Sequence, residues 1–374
     1  MKSDDVDIKE ESPPAISNET ARSGARWQTI VGVACVIYTL LIGVVLLAVR
    51  ILGDRWWPCT LLMFSARWPW GLPLVVLLPV AAIHRRRSLL VLSLSAVLVV
   101  GGILDFRIPW RSWTYAAPSV GSGTSLRVIT WNVHRCDGVN VAASSRWLAD
   151  QHADVIALEE WPKDWPAELL VGEGWHVLHD GELCVASRQD IRRHAPPAFG
   201  EAFAEHGAGS RYWLTTPAGD IPFAAMHLAS PHPDFHAALH LEADGRERVA
   251  LNTTRRKAQA AEVAAWAEVV GSRVIIVGDL NTPSDSPLFD GRQKKLSDAF
   301  LVAGAGFGYT YTHRGAMARI DHVIFGSEWR CRRCTVGPAL GSPHRPVIAD
   351  LALEPGQPSG QGTALISPSV QRGT

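Results

Sequence analysis

Val274-Ile275-Ile276-Val277-Gly278-Asp279-Leu280-Asn281 is a run of β-branched residues that stops abruptly at Gly-Asp-x-Asn. A short apolar run of this composition is expected to be a buried strand. Its end delivers a carboxylate and a carboxamide to a loop rim, where catalytic groups tend to sit. Gly and Asn are also ordinary turn residues, so the tetrapeptide alone is a weak signal and reads first as a bland strand-to-turn junction. Its meaning depends on what other strand ends bring beside it.

Upstream, Arg246 to Val270 reads as a long helix, and Ile221 to Leu228 as a strand carrying His227 near its end. Leu126 to Val133 has strand composition and ends at Trp131-Asn132 before a polar turn. Val141 to Gln151 is helical in pattern, and Asp154 to Leu158 is a second buried strand, ending at Glu159-Glu160. A carboxylate aimed from such an end into a cleft can hold a hard cation. Trp175 to Leu178, Glu182 to Ser187 and Tyr212 to Thr216 are shorter strands, expected as a meander. Downstream come Tyr309 to Thr312, the strand Arg319-Ile320-Asp321-His322-Val323-Ile324-Phe325, and Ser342-Pro343-His344-Arg345-Pro346 leading into the strand Val347 to Leu353. Several strands follow one another without a helix between them, which predicts an α/β (α+β) domain of mixed or antiparallel sheets with helices outside.

Two other groups contain metal-ligating residue types. His232, His236 and His240 are spaced four apart; on a helix they would share one face, compatible with a transition-metal site or simply with a solvated face. Cys331 and Cys334 lack two further ligands at zinc spacing, leaving two ordinary thiols or, outside the cytoplasm, a disulfide.

The ordered set Trp131-Asn132, Glu159-Glu160, His227, Gly278-Asp279-Leu280-Asn281, Arg319-Ile320-Asp321 and His344 resembles the endonuclease/exonuclease/phosphatase superfamily over Leu126 to Leu353. That superfamily includes pancreatic deoxyribonuclease, abasic-site endonucleases, neutral sphingomyelinases and inositol-polyphosphate phosphatases. The resemblance implies a four-layered α/β sandwich of two packed mixed sheets with outer helices. It also implies a divalent cation, magnesium with manganese as the alternative. Carried over position by position, it makes Glu160 the acidic metal ligand with Asn132 beside it, and Asp279 the residue that orients or deprotonates water. Asn281 then holds the phosphate or that aspartate, His227 contacts phosphate, and Asp321 supports a histidine or the metal site. His344 matches the histidine of the family's Ser-Asp-His motif, but the middle residue here is Pro343. The carboxylate at that position is missing, and the imidazolium loses a partner unless Asp321 or another acid substitutes.

The first third has a different character. An acidic, proline-containing leader is too polar to order itself, and residues 1–26 are expected to be a disordered cytoplasmic tail. Gln28 to Val49 lacks formal charge and is long enough to cross a hydrocarbon core. With apolar runs in Trp56 to Ile83 and Ser88 to Leu104, residues 27–105 are expected to form a transmembrane region of three helices, at about 28–49, 66–83 and 88–104. Residues 106–125 read as a linker, 126–353 as the catalytic domain and 354–374 as a second disordered tail. The loop His84-Arg85-Arg86-Arg87 carries the charge of a cytoplasmic loop. With three full crossings that charge and an extracytoplasmic domain conflict; the expectation is nevertheless a multi-pass protein of the cell membrane with the catalytic domain outside. Two crossings plus a surface helix would leave it in the cytoplasm.

Within Tyr115 to Leu353, 23 Lys and Arg stand against 27 Asp and Glu. A nuclease gripping many phosphates needs a basic footprint, so nucleic acid is not the favoured substrate. A tethered domain meets lipid headgroups at high effective concentration, and the arrangement is similar to membrane proteins of the superfamily linked to glycopeptide-antibiotic resistance. The expected partners are membrane lipids and a phosphorylated or pyrophosphorylated, lipid-linked substrate, with no protein partner. A surface nuclease, a sphingomyelinase-like phosphodiesterase and a catalytically impaired phosphate-binding domain are the alternatives.

Overall fold

The runs Val155–Glu159 and Ile275–Asp279 are buried along their whole length, as strands covered on both faces must be. Each is the inner member of a parallel pair, and these two pairs organise the domain. The computed structural model describes residues 16–109, 124–286, 295–313 and 315–354. Its strands are β1 (Ser125–Asn132), β2 (Val155–Glu159), β3 (His176–Asp180), β4 (Leu183–Ser187), β5 (Ile191–Ala198), β6 (Ala208–Thr216), β7 (Gly219–His227), β8 (Ile275–Asp279), β9 (Leu296–Asp298), β10 (Tyr311–His313), β11 (Ala316–Ala318), β12 (Asp321–Gly326), β13 (Trp329–Val336) and β14 (Val347–Leu353). The helices are α1 (Ile16–Leu52), α2 (Trp57–Phe64), α3 (Leu72–His84), α4 (Ser88–Val97), α5 (Val141–Asp150), α6 (Glu168–Val171), α7 (His232–Leu239), α8 (Gly245–Val270) and α9 (Ala299–Ala303).

One sheet runs β13-β14-β1-β2-β4-β3, the other β5-β6-β7-β8-β12-β9. In each, one pair is parallel, β1 with β2 and β7 with β8, and the other neighbours are antiparallel. A parallel pair needs a crossover connection; α5 supplies it in the first sheet, α7 and α8 in the second. The inner faces meet in one core containing Val128, Val155, Val185, Phe223, Val277, Val323 and Ala349. Outside the first sheet, Ile129, Ile156 and Leu158 pack on Leu148 of α5 and Leu170 of α6. Outside the second, Ala224, Met226 and Ile276 pack on Val263 and Trp266 of α8. The expected sandwich of two mixed sheets with outer helices is present.

The expected meander is split between the sheets: β3 and β4 end the first, and the chain crosses after Ser187 to begin the second with β5. Asp180 ties the two edges, accepting from Arg193 at 2.7 Å and Tyr212 at 2.8 Å. Cys331 and Cys334 are unbonded and buried on one face of β13, because a bulge between Cys331 and Arg333 resets the alternation. His232, His236 and His240 are exposed on and just after α7, a solvated face.

At the N-terminus, helix begins at Ile16, inside the segment expected to lack structure, while residues 1–15 lie outside the described residues. Arg22–Arg55 is the one helix, among the described residues, that is long and apolar enough to cross a membrane unaided. The expected second span is broken: α2 and the segment Trp68–His84 meet at 80°, and α3 itself has 13 residues, about 20 Å against a hydrocarbon core of about 30 Å. The third run, Ser88–Ile103, is also short. These helices pack together through Cys35, Ile42, Leu74, Ala81, Leu92 and Val99.

Their antiparallel order places the basic loop. Arg85 donates to the Gln28 carbonyl at 2.9 Å and His84 stacks on Trp27, so the loop lies beside the N-terminal half of α1, at the end of the bundle away from the sandwich domain. The domain meets the other end, near Asp54, Arg67 and Asp105. The basic loop and the domain thus lie at opposite ends of the helical bundle. Part of the expected linker is structured too, Arg107 bridging to Gly306; residues 110–123 and 355–374 lie outside the described residues.

Candidate active site

The carboxyl ends of the two parallel pairs face each other. Asn132 on β1 is in register with Glu159 on β2, and His227 on β7 with Asp279 on β8; Asp321, opening β12, pairs with Asp279 from the other side. Gly278 has φ 136°, and a side chain there would strike the Met226 carbonyl of β7, so only glycine lets β8 approach and deliver Asp279.

The Oδ2 atom of Asp279 is the hub. It accepts from Asn132 Nδ2 at 3.1 Å and lies 3.8 Å from His227 Nε2 and 3.7 Å from His344 Nε2. Its Oδ1 accepts from the Asn281 backbone at 2.8 Å, and Asn281 Nδ2 donates to the Leu228 carbonyl at 2.9 Å. Asn132 also donates to Glu160 Oε1 at 3.0 Å, while its own Oδ1 accepts from His134 N–H at 2.9 Å. Its oxygen is thus engaged, and what Asn132 presents to the cleft is donors that steer two carboxylates. Glu160 and Asn281 hold left-handed backbone, φ 51° and 44°. Asn tolerates that region, whereas a Glu held there is strained, as residues at functional sites often are.

Both histidines turn Nε2 toward Asp279 and are braced at Nδ1. His227 meets Glu182 at 2.5 Å, and His344 meets Asp321 at 3.0 Å. Burial works against their charged forms, but Glu182 and Asp279 hold His227, and Asp321 and Asp279 hold His344, up to about 9. Burial and the neighbouring Asp321 raise Asp279, against the pull of His344 and His227. The gaps of 3.7 and 3.8 Å exceed a hydrogen bond, which suits a water or phosphate oxygen between the groups. Asp321 gives His344 a carboxylate partner where Pro343 supplies none. Its loop is held by Thr310, whose hydroxyl accepts from Ile320 and Asp321 N–H at 3.1 Å and whose carbonyl accepts from Arg345 N–H at 2.7 Å.

All seven residues singled out from sequence, Asn132, Glu160, His227, Asp279, Asn281, Asp321 and His344, come together. Glu182 was not singled out: it follows Gly181 in a tight connection between β3 and β4, 45 residues from the histidine it braces, and carries no local motif. Ligand atoms of Asp279, Asp321 and His344 lie within 4.8 Å of one another, and the Glu160 side chain, 23% exposed, lies 3.8 Å from the other histidine, His227. A set dominated by carboxylate oxygens fits a hard divalent cation.

No curated protein matches the chain. Similar solved structures include an endonuclease/exonuclease/phosphatase from Beutenbergia cavernae DSM 12333, 20% identical over 62% of this chain and 72% of that one, TM-score 0.44. A truncated TDP2 of Caenorhabditis elegans is 15% identical over 61% and 98%, TM-score 0.48, and a protein from Bacteroides vulgatus is 17% identical over 62% and 100%, TM-score 0.44. The sequence profile described as the Endonuclease/Exonuclease/phosphatase family matches residues 129–344, more than half of the chain and every residue of the cluster, and the protein belongs to that family.

Proposed function

We propose that the chain is a membrane-anchored, metal-dependent phosphoesterase that hydrolyses a phosphate ester or pyrophosphate of an envelope lipid carrier by in-line attack of water. Members of the family are hydrolases of phosphate esters that generally use divalent metal ions. A magnesium ion, or manganese in its place, held by Glu160 beside the Asp279 cluster would supply positive charge to the phosphoryl oxygens. Asp279, fixed by Asn132 and Asn281, orients the attacking water. His227 and His344, charged at neutral pH, aim Nε2–H donors at the oxygens where negative charge develops. Glu182 and Asp321 keep both rings in that orientation.

The lipid-linked substrate rests on one observation: the loop that follows Asn281 packs against helices whose outward faces are apolar. Val75, Ile83, Leu90 and Val97 are 71%, 76%, 80% and 68% exposed, which a water-facing bundle would not leave uncovered. On this reading the basic loop lies on the cytoplasmic side and the domain outside, in keeping with the Arg residues at 85–87. The test is the full-length protein in detergent with magnesium, offered polyprenyl pyrophosphate, phospholipid and plasmid DNA beside Asp279→Ala. Phosphate release from the polyprenyl substrate, lost in the variant and on chelation, is expected; cleavage of DNA alone overturns the reading. A reporter fused after Leu353 that scored as cytoplasmic would overturn the extracytoplasmic placement.

A further inference from the structure

We propose that the N-terminal helices belong to the support of the active site, with Asp54, Arg67 and Asp105 as positioning residues that clamp the loop following Asn281. The inference rests on the reading of the Asp279 cluster as a phosphoesterase centre.

The loop Thr282-Pro283-Ser284-Asp285-Ser286 is gripped at three points by the helical segment. Asp54, just past α1, pairs with Arg256 of α8 at 2.8 Å, both side chains fully buried, and also accepts from the Ser286 hydroxyl. Arg256 in turn donates to the Asn281 carbonyl at 3.4 Å and the Thr282 hydroxyl at 3.2 Å. Arg67 makes a two-pronged pair with Asp285, at 2.8 and 3.0 Å, and its guanidinium is fixed by the Met63 and Ile103 carbonyls. Asp105 accepts from Ser284 at 2.9 Å and pairs with Arg319. Arg319 precedes Ile320, whose carbonyl accepts from Leu280 N–H at 2.9 Å, and Asp321, which braces His344. The three grips therefore end on the residues that hold Asp279, Asn281 and His344 in place.

Simple docking does not account for this chemistry. Buried ion pairs contribute little net stability compared with apolar packing of the same volume, and ionisable groups beside apolar helices are costly to keep. What such pairs give is a single geometry, because two-pronged guanidinium–carboxylate contacts fix direction as well as distance. A catalytic loop displaced by about 1 Å can lose about a hundredfold in rate, so a clamp at this loop acts on turnover rather than on cohesion alone.

The test uses the full-length protein in detergent micelles and compares Asp54→Asn, Arg67→Gln and Arg67→Lys with wild type. Amide hydrogen exchange is followed at residues 280–286 and at β2 as internal reference, with kcat and KM on bis(p-nitrophenyl) phosphate plus magnesium. Expected for Asp54→Asn and Arg67→Gln are faster exchange confined to 280–286, kcat lower by about a hundredfold and KM within about twofold of wild type. Arg67→Lys, able to keep charge but not the two-pronged contact, should recover about tenfold over Arg67→Gln. Unchanged exchange at 280–286, an equal rise at β2, or faster exchange with kcat unaltered would each overturn the clamp. If wild type leaves this diester intact, kcat is read on the phosphoester that it does hydrolyse; if it hydrolyses none, the phosphoesterase reading falls by itself and exchange alone decides: loosening confined to 280–286 supports the clamp and its absence overturns it.

Discussion

The two histidine corners of the site are built alike and surrounded differently. His227 comes from β7 in the second sheet and is braced by Glu182 beside β4 in the first; His344 comes from the loop before β14 in the first sheet and is braced by Asp321 of β12 in the second. Each pair spans the gap between the sheets, in opposite directions, and each ring points Nε2 at Asp279. The acids differ in setting: the Glu182 side chain is 34% exposed, whereas that of Asp321 is fully buried. Equal chemistry in unequal dielectric should give unequal consequences, because solvent screens the first pair far more than the second.

Asp279→Asn removes the group both corners face, and should have the largest effect. If Asp279 orients the attacking water as proposed, its loss lowers kcat by about 10³-fold or more, with KM changed little, measured on whichever phosphoester the wild type hydrolyses. Retention of a tenth of wild-type kcat would break the comparison at its centre, since Asp279 would then not be shared.

Asp321→Asn comes next. It removes the nearer of the two carboxylates that face the buried His344, and breaking a buried pair from one side costs about 3–5 kcal/mol. Denaturant unfolding should show a loss of that order, and kcat should fall by about 10²-fold as the ring loses its orientation. Glu182→Gln should do less, lowering kcat by about tenfold because solvent already screens the pair. pH profiles sharpen the contrast. Both histidines are raised from 6.5 to about 9, so the stability they contribute in the metal-free protein is fully present below about pH 6.5 and lost as pH rises through about 9. Removing either acid should move the alkaline limb downward, further for Asp321→Asn. Equal shifts would mean that exposure does not separate the corners.

The corners also differ in how far they can be read from the chain. Asp321 stands in Arg319-Ile320-Asp321, a strand opening that the family resemblance marks, and the two apolar runs that became β2 and β8 announce their burial by lacking alternation. Glu182 has no such context, since a carboxylate after a turn glycine is ordinary loop chemistry, and only the crossing between sheets brings it to His227. The clamp is less legible still: Asp54 and Arg256 are 202 residues apart, and a single Asp after an apolar helix reads as a solvated end. Periodicity reports which face is buried, but not which distant charge arrives there.

Pro343→Asp should have the smallest effect and tests why the His344 corner works at all. A proline next to His344 looks disabling if the carboxylate must come from that position. In the fold, however, Asp321 already meets His344 Nδ1 with both oxygens, at 3.0 and 3.1 Å, and the Pro343 carbonyl is used by Thr312 N–H at 2.9 Å, a contact that aspartate retains. An added carboxylate finds the bracing position filled, so kcat should stay within about threefold and the alkaline limb should not move, as for a substitution away from any buried partner. A tenfold gain with a limb shifted upward would show that Asp321 braces the ring only in part, and would move this corner toward the exposed, adjustable character of the His227 side.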